Sequence, residues 1–158
     1  MASYETDYLV VGAGAIGMAF VDSLLDHGKG DILLLDRHPK PGGHWNASYP
    51  FVTLHQPSVT YGLSHEDLGD QVIDQAGPNK GMYELATGAQ VNAYFDGVMR
   101  HKFLPTGRVN YQPMTEYLRR DGDTLEAVVT MRQADGSIKD VPFIMQRIAG
   151  EGEPGHQH

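Results

Sequence analysis

The stretch Asp7-Tyr8-Leu9-Val10-Val11-Gly12-Ala13-Gly14-Ala15-Ile16-Gly17 decides how the rest of the chain is read. Tyr8 to Val11 is an apolar, β-favouring run of the kind found in a buried parallel strand. It ends in Gly12-x-Gly14-x-x-Gly17, and a helical pattern begins at once. Strand, glycine turn and helix together give the motif its meaning. Gly12 permits the tight turn, Gly14 lets backbone approach a pyrophosphate, and Gly17 lets the helix pack closely on the strand. The helix N-terminus then offers free N–H groups and a partial positive charge to phosphates. The motif also occurs as a tight strand-to-helix turn without a ligand, so the neighbouring sequence has to decide between the two.

Outward from the turn, Ala15 to His27 reads as a helix, with Ile16, Ala19, Phe20, Ser23, Leu24 and His27 at helical spacing as the expected packed face. Gly28-Lys29-Gly30 stops it. Asp31 to Asp36 is a second apolar strand that closes on an acid. An acid there can accept hydrogen bonds from the ribose hydroxyls of an adenosine, and it would repel a 2′-phosphate, which disfavours NADP at this position. A plain strand-end carboxylate is the alternative role for Asp36.

Arg37-His38-Pro39-Lys40-Pro41-Gly42-Gly43-His44-Trp45 follows. Two adjacent glycines allow close backbone approach and positive φ. A tryptophan supplies a large flat surface beside an aromatic ring system, or else plugs the core. The series GxGxxG, acid-Arg, then Pro-Gly-Gly-x-Trp resembles FAD-dependent oxidoreductases of the flavin-containing and Baeyer–Villiger monooxygenase type. The resemblance implies that Gly12, Gly14, Ala15, Ile16, Gly17, Asp36 and Arg37 hold the ADP half of FAD. Gly42, Gly43, His44 and Trp45 would then line the stretch from pyrophosphate to flavin.

Asn46 to Gly62, rich in aromatic and hydroxyl residues with two prolines, reads as an ordered irregular loop. The family carries a Tyr-Pro segment here, near the flavin. This chain departs from the Baeyer–Villiger pattern, because His55 stands about where an acid is expected. His55 and Gln56 are the polar candidates for the flavin side, with a hydrogen-bonded loop as the alternative. His55 is the one candidate for a catalytic role. His65 to Tyr83 reads as a polar, Gly-rich surface excursion. Thr87 is the expected N-cap of a helix from Gly88 to Leu104, whose stripe Val91, Tyr94, Phe95, Val98, Met99 and Phe103 reads as core.

Arg108 to Gln112 reads as the third parallel strand. The resemblance places Pro113, Met114 and Thr115, just after it, near the adenine. Thr124 to Arg132 and Ser137 to Phe143 alternate around Ala134-Asp135-Gly136-Ser137, a hairpin signal. The expected fold is therefore α/β: a Rossmann-like FAD-binding fold of the glutathione reductase type, with a parallel sheet and a β-hairpin or meander. It covers residues 1–143, and 144–158 read as a disordered tail. The family would continue into a strand carrying Asp, an Ala-Thr-Gly turn and a second glycine motif for NAD(P)H. Neither is in this sequence, so the resemblance implies an incomplete fold.

Bulk composition narrows the function classes. The chain has 158 residues, a formal net charge of −8 and no cysteine. The negative charge argues against nucleic acid or an anionic membrane as partner. Disulfides, thiolate metal sites and a cysteine nucleophile are excluded. No metal site is expected, since His156 and His158 stand on the tail. The N-terminal residues lack a signal-peptide pattern and no apolar run reaches the roughly 18 residues needed to span a bilayer, so the expected location is cytoplasmic. The functional expectation is the FAD-binding portion of an NAD(P)/FAD-dependent oxidoreductase, of unknown substrate and inactive or incomplete alone. The alternative is a stand-alone NAD- or ADP-binding module without redox activity. Without a fourth parallel strand, the outer edge of the first strand would be open to self-association.

Overall fold

The computed structural model describes residues 6–121, 124–132 and 137–146. At its centre lies β2 (Ile32–Leu35), all four residues of which are buried. It pairs in parallel with β1 (Tyr8–Val11) on one side and β3 (Val109–Gln112) on the other, with Val10 opposite Leu34 and Leu34 opposite Tyr111. Crossover segments on the faces of such a sheet bury its middle strand on both sides, hence the unbroken Ile-Leu-Leu-Leu run.

The sequence assigns the same buried character to β1, and the structure corrects it. Only Val10 is buried there, while Val11 is 55% exposed and Tyr8 is 36% exposed. Among the described residues β1 has a neighbouring strand on one edge only.

Helix α1 (Ala15–His27) has the predicted bounds and a different packed face. Met18, Val21 and Asp22 are buried, and Ala15, Leu24 and Leu25 pack against the core. Of the predicted stripe only Leu24 takes part; Ile16 is 87% and Phe20 51% exposed, and Ala19, Ser23 and His27 also face solvent. The helix is apolar on two sides, and periodicity cannot say which side the sheet covers. Arg108 fastens its C-terminus: Nε donates to Gly30 O at 2.9 Å, and the guanidinium nitrogens donate to the Leu24, Leu25 and Gly28 carbonyls. A cation at that end also meets the negative pole of the helix.

Helix α2 (Gly88–Val98) begins as predicted. The Thr87 hydroxyl accepts from Gln90 N at 3.2 Å and Gln90 Oε1 accepts from Thr87 N at 2.8 Å, a reciprocal capping box. The helix then widens into a π-turn at Met99–Phe103 and closes as a 3-10 turn at Leu104–Thr106. The predicted stripe survives this change, with Val91, Phe95, Val98, Met99 and Phe103 buried. Phe95 meets Tyr61 edge-on at 6.3 Å between ring centroids, and Tyr61 meets Trp45 edge-on at 6.0 Å.

A polar tie fixes the other side of α1. The buried Asp22 accepts from Lys102 Nζ at 2.7 Å and pairs with His65 Nδ1 at 2.8 Å. It thereby binds the π-turn and the 62–68 loop to the helix.

The chain leaves β3 through Pro113 and Met114 and enters an antiparallel meander, β4 (Thr115–Asp121), β5 (Thr124–Arg132) and β6 (Ile138–Gln146). The predicted hairpin is β5 and β6, with Thr124 opposite Gln146 and Arg132 opposite Ile138. Strand β4, which completes the meander, is not foreseen from the sequence. Strand β6 also takes in Ile144–Gln146, residues the sequence assigns to the tail. The rest of that tail and the Asp135-Gly136 turn lie outside the described residues.

Because Phe95 is fully buried and joins the aromatic chain under the sheet, Phe95→Ala should destabilise the fold by about 3–5 kcal/mol. Equilibrium denaturant unfolding checks this, and a loss below about 1 kcal/mol would contradict the packing described.

Candidate dinucleotide site

The C-terminal ends of β1 and β2 are where an open α/β sheet binds ligands, and a cleft of about 940 Å³ opens there. Its shape starts with backbone geometry. Gly12 has φ +104°, a conformation that side chains other than glycine rarely adopt. Its N–H donates to Leu35 O at 2.7 Å, holding the turn to β2. A Cβ on Gly17 would lie 1.9 Å from the Gly12 carbonyl oxygen, so α1 can sit this close to β1 only with glycine at that position. Gly14 and the Gly42-Gly43 turn pack backbone to backbone. A Cβ on Gly43 would be 2.9 Å from Gly14 Cα, and Gly42 N donates to Ala13 O at 2.8 Å. The two glycine motifs, 25 or more residues apart in sequence, thus form one continuous floor.

The helix rising from this floor is uncapped. Gly14 brings no side chain to its N-terminus and the first turn holds no acid. The first N–H groups and the positive end of the helix dipole are left for an outside acceptor.

Asp36 stands at the end of β2 and is 4% exposed. Its Oδ2 accepts from Ala13 N at 2.5 Å, and its Oδ1 accepts from His38 N at 2.7 Å and His38 Nδ1 at 2.9 Å. Three N–H donors thus surround one buried carboxylate. Arg37, His38 and His44 bring cationic or titratable groups to the same cleft, and Glu116 adds one acid. On β3 the Tyr111 hydroxyl is buried without a partner among the described residues. Burial first, then the charges of Asp36 and Asp96, raise the phenol above its ordinary range. It packs against the core and does not line the cleft.

Most of the predicted residues converge here: Gly12, Gly14, Ala15, Ile16, Gly17, Asp36, Arg37, Gly43 and His44 all line the cleft. Trp45 does not. It is buried, with its indole N–H donating to Tyr61 OH at 2.9 Å, so it takes the core-filling role that the sequence left open. The ring it holds, Tyr61, is the one that lines the cleft. His55 and Gln56 are exposed in the loop and outside the lining. Met114 is also outside it, held at φ 55° with its N–H on His38 O at 3.1 Å, while Thr115 beside it lines the cleft. His38, Tyr61, Glu116, Tyr117 and the apolar wall of Val11 and Phe20 are lining residues the sequence reading did not select. The one signal that marked any of them is the placing of His38 in the run from Asp36 to Gly43. Among the described residues no group of three or more His, Asp or Glu is placed to hold a metal ion, and no helix is long and apolar enough to cross a membrane.

A three-stranded parallel sheet in the order β1-β2-β3, with a glycine turn opening on α1 and a meander after β3, defines a Rossmann-like α/β domain. Residues 10–86 match the family model of the NAD(P)-binding Rossmann-like domain. An uncharacterized protein of Mycobacterium tuberculosis is 54% identical over 114 residues, 72% of this chain and 21% of the relative. The chain therefore spans about a fifth of the length of that relative. Bacillithiol disulfide reductase from Bacillus cereus superimposes with a TM-score of 0.59 at 19% identity, over 91% of this chain and 38% of that one. Cyclohexanone monooxygenase from Rhodococcus sp. Phi1, solved bound to NADP+, does so with a TM-score of 0.53 at 20% identity, over 88% of this chain and 25% of that one. At these identities the two structures establish the shared fold.

Two glycines separate close packing from simple flexibility. Gly17→Ala should lose about 1–3 kcal/mol or more, because its Cβ meets backbone. Gly97→Ala, whose Cβ meets nothing within 4 Å on α2, should gain about 0.4–1 kcal/mol. Thermal and denaturant melts of the pair check both signs.

Proposed function

We propose that this domain is the FAD-binding portion of an NAD(P)/FAD-dependent oxidoreductase. The observation that carries the reading is the contact between Gly14 and Gly43, which joins two glycine turns into one floor beneath an uncapped helix. A simple mononucleotide cradle needs only the first turn. A second glycine turn packed on it lengthens the surface that backbone offers to a ligand, as a dinucleotide with a long linker requires. Gly12 to Gly17 would face the pyrophosphate and Asp36 the adenosine ribose. Gly43, His44 and Tyr61 are the groups left for the flavin side. This chain's own geometry supports the fit, since glycines form the floor and the first turn of the helix holds no acid.

Bound FAD would supply hydride and electron transfer; the protein's part is to bind it, orient it and limit water. NAD(P)H would serve as the reductant of such an oxidoreductase.

A stand-alone NAD- or ADP-binding module is the second reading, favoured by the NAD(P)-binding description of the matched family. The two separate cleanly in one experiment. Purified protein titrated with FAD should show a perturbed flavin absorbance spectrum and a raised melting temperature, and Asp36→Ala should lose both. A melting-temperature rise with NAD or ADP alone, and none with FAD, would establish the second reading instead. No response to any of the three would defeat both.

The edge of β1 that has no neighbouring strand among the described residues suits pairing with a second copy of the chain. Size-exclusion chromatography with light scattering should show mass rising with concentration, and a constant monomer mass would rule this out.

A further inference from the structure

An ionised carboxylate has about four accepting positions, two on each oxygen. In Asp36 three are already taken: both on Oδ1 by the His38 backbone N–H and ring, and one on Oδ2 by Ala13 N. One position on Oδ2 remains. A ribose presents two hydroxyls, so this aspartate cannot accept from both in the way a free acid at the end of β2 would.

The second acceptor is already attached to the first. Because the carboxylate only accepts, His38 Nδ1 must carry the proton of their 2.9 Å bond. In the neutral ring that leaves Nε2 as a bare acceptor. The His38 side chain is 24% exposed and lines the cleft next to Asp36. Its backbone is fixed as well: Met114 N donates to His38 O at 3.1 Å, and His38 N is held by Asp36. Ring and main chain are thus oriented before any ligand arrives.

We propose that His38 is a ribose-contact residue: Asp36 Oδ2 accepts one hydroxyl of the adenosine ribose and His38 Nε2 accepts the other. The inference rests on the dinucleotide reading above and adds to it a residue that reads the sugar. It also gives Asp36 two jobs, holding the glycine turn through Ala13 and setting the His38 tautomer.

Isothermal titration with ADP, 2′-deoxy-ADP and 3′-deoxy-ADP tests this on the intact chain. In the wild type, removing either hydroxyl should weaken binding by roughly 3- to 10-fold. His38→Asn keeps a donor near the Nδ1 position for Asp36 and removes Nε2. It should melt close to wild type and become insensitive to one of the two deletions while keeping the other. His38→Gln, whose amide oxygen reaches about as far as Nε2, should restore the lost sensitivity. If His38→Asn still distinguishes both deoxy-nucleotides from ADP, His38 only positions Asp36 and the proposal fails. If neither deletion weakens wild-type binding, the ribose is not read at all and the proposal also fails. If wild type answers FAD but none of the three, the adenosine ribose is not read and the proposal fails while the dinucleotide reading stands; if it answers neither FAD nor any of the three, both fall.

Discussion

The bond from the Ala13 amide to the buried Asp36 carboxylate is the constraint on which the rest of this structure depends. Ala13 is fully buried and lies inside the glycine turn; Asp36 ends the central strand. Four further backbone links radiate from these two residues. Asp36 N donates to Gln112 O, Thr115 N donates to Asp36 O, Gly42 N donates to Ala13 O and His38 N donates to Asp36 Oδ1. The carboxylate holds the Ala13 and His38 amides, and the backbone groups of Asp36 and Ala13 tie in the end of β3, the start of β4 and the second glycine turn. A charge-assisted hydrogen bond in a buried setting contributes on the order of 1.5–3 kcal/mol, more than a neutral one. Losing the carboxylate would also strand a buried N–H. The ligand-facing geometry and local stability are thus the same set of contacts, which is why the cleft needs no separate scaffold.

The two faces of the domain differ in how they are finished. On the α2 side, apolar packing through Phe95, Tyr61 and Trp45 closes the core, and the Asp22 tie to Lys102 and His65 anchors the long loop. Asp22 Oδ2 has no partner among the described residues, so this tie is less than fully satisfied. A buried pair of this kind fixes arrangement more surely than it adds stability. On the β1 side, Val11, Ile16 and Phe20 are exposed, and among the described residues the strand has a neighbour on one edge only. Those three apolar residues belong to the lining of the cleft.

How far the sequence could be read follows from this asymmetry. The glycine spacing, the acid closing β2 and the Thr87 cap are local signals, and each is found where it was read. The α2 stripe also holds, because that helix is apolar on one side only. The face of α1 was misread because both of its sides carry apolar residues: Met18 and Val21 face the sheet, Ile16 and Phe20 face outward. Strand β4 was missed because it follows β3 after two residues, with no glycine or second periodic run to announce it. The role of Trp45 was decided by something no local pattern carries, the partner for its indole N–H on Tyr61. His38 escaped notice because its importance lies in a bond to a residue two positions away, which becomes visible only when the backbone is bent back on Asp36.

The electrostatics of the cleft must be argued locally for the same reason. The chain carries a formal net charge of −8, which would repel an anionic dinucleotide at a distance. Salt screens such a field beyond about 8 Å under physiological conditions. What an approaching pyrophosphate meets inside that range is the uncapped end of α1, with no acid in its first turn, and Arg37 beside the cleft. Of the two acids that line the cleft, Asp36 and Glu116, the first is already answered by three N–H donors. A fixed helix dipole and backbone amides cost no reorganisation on binding, whereas a mobile surface lysine would have to be ordered. Recognition of an anion by backbone geometry would therefore tolerate an acidic chain, and substitutions of surface charge far from the glycine floor should leave the proposed binding largely intact.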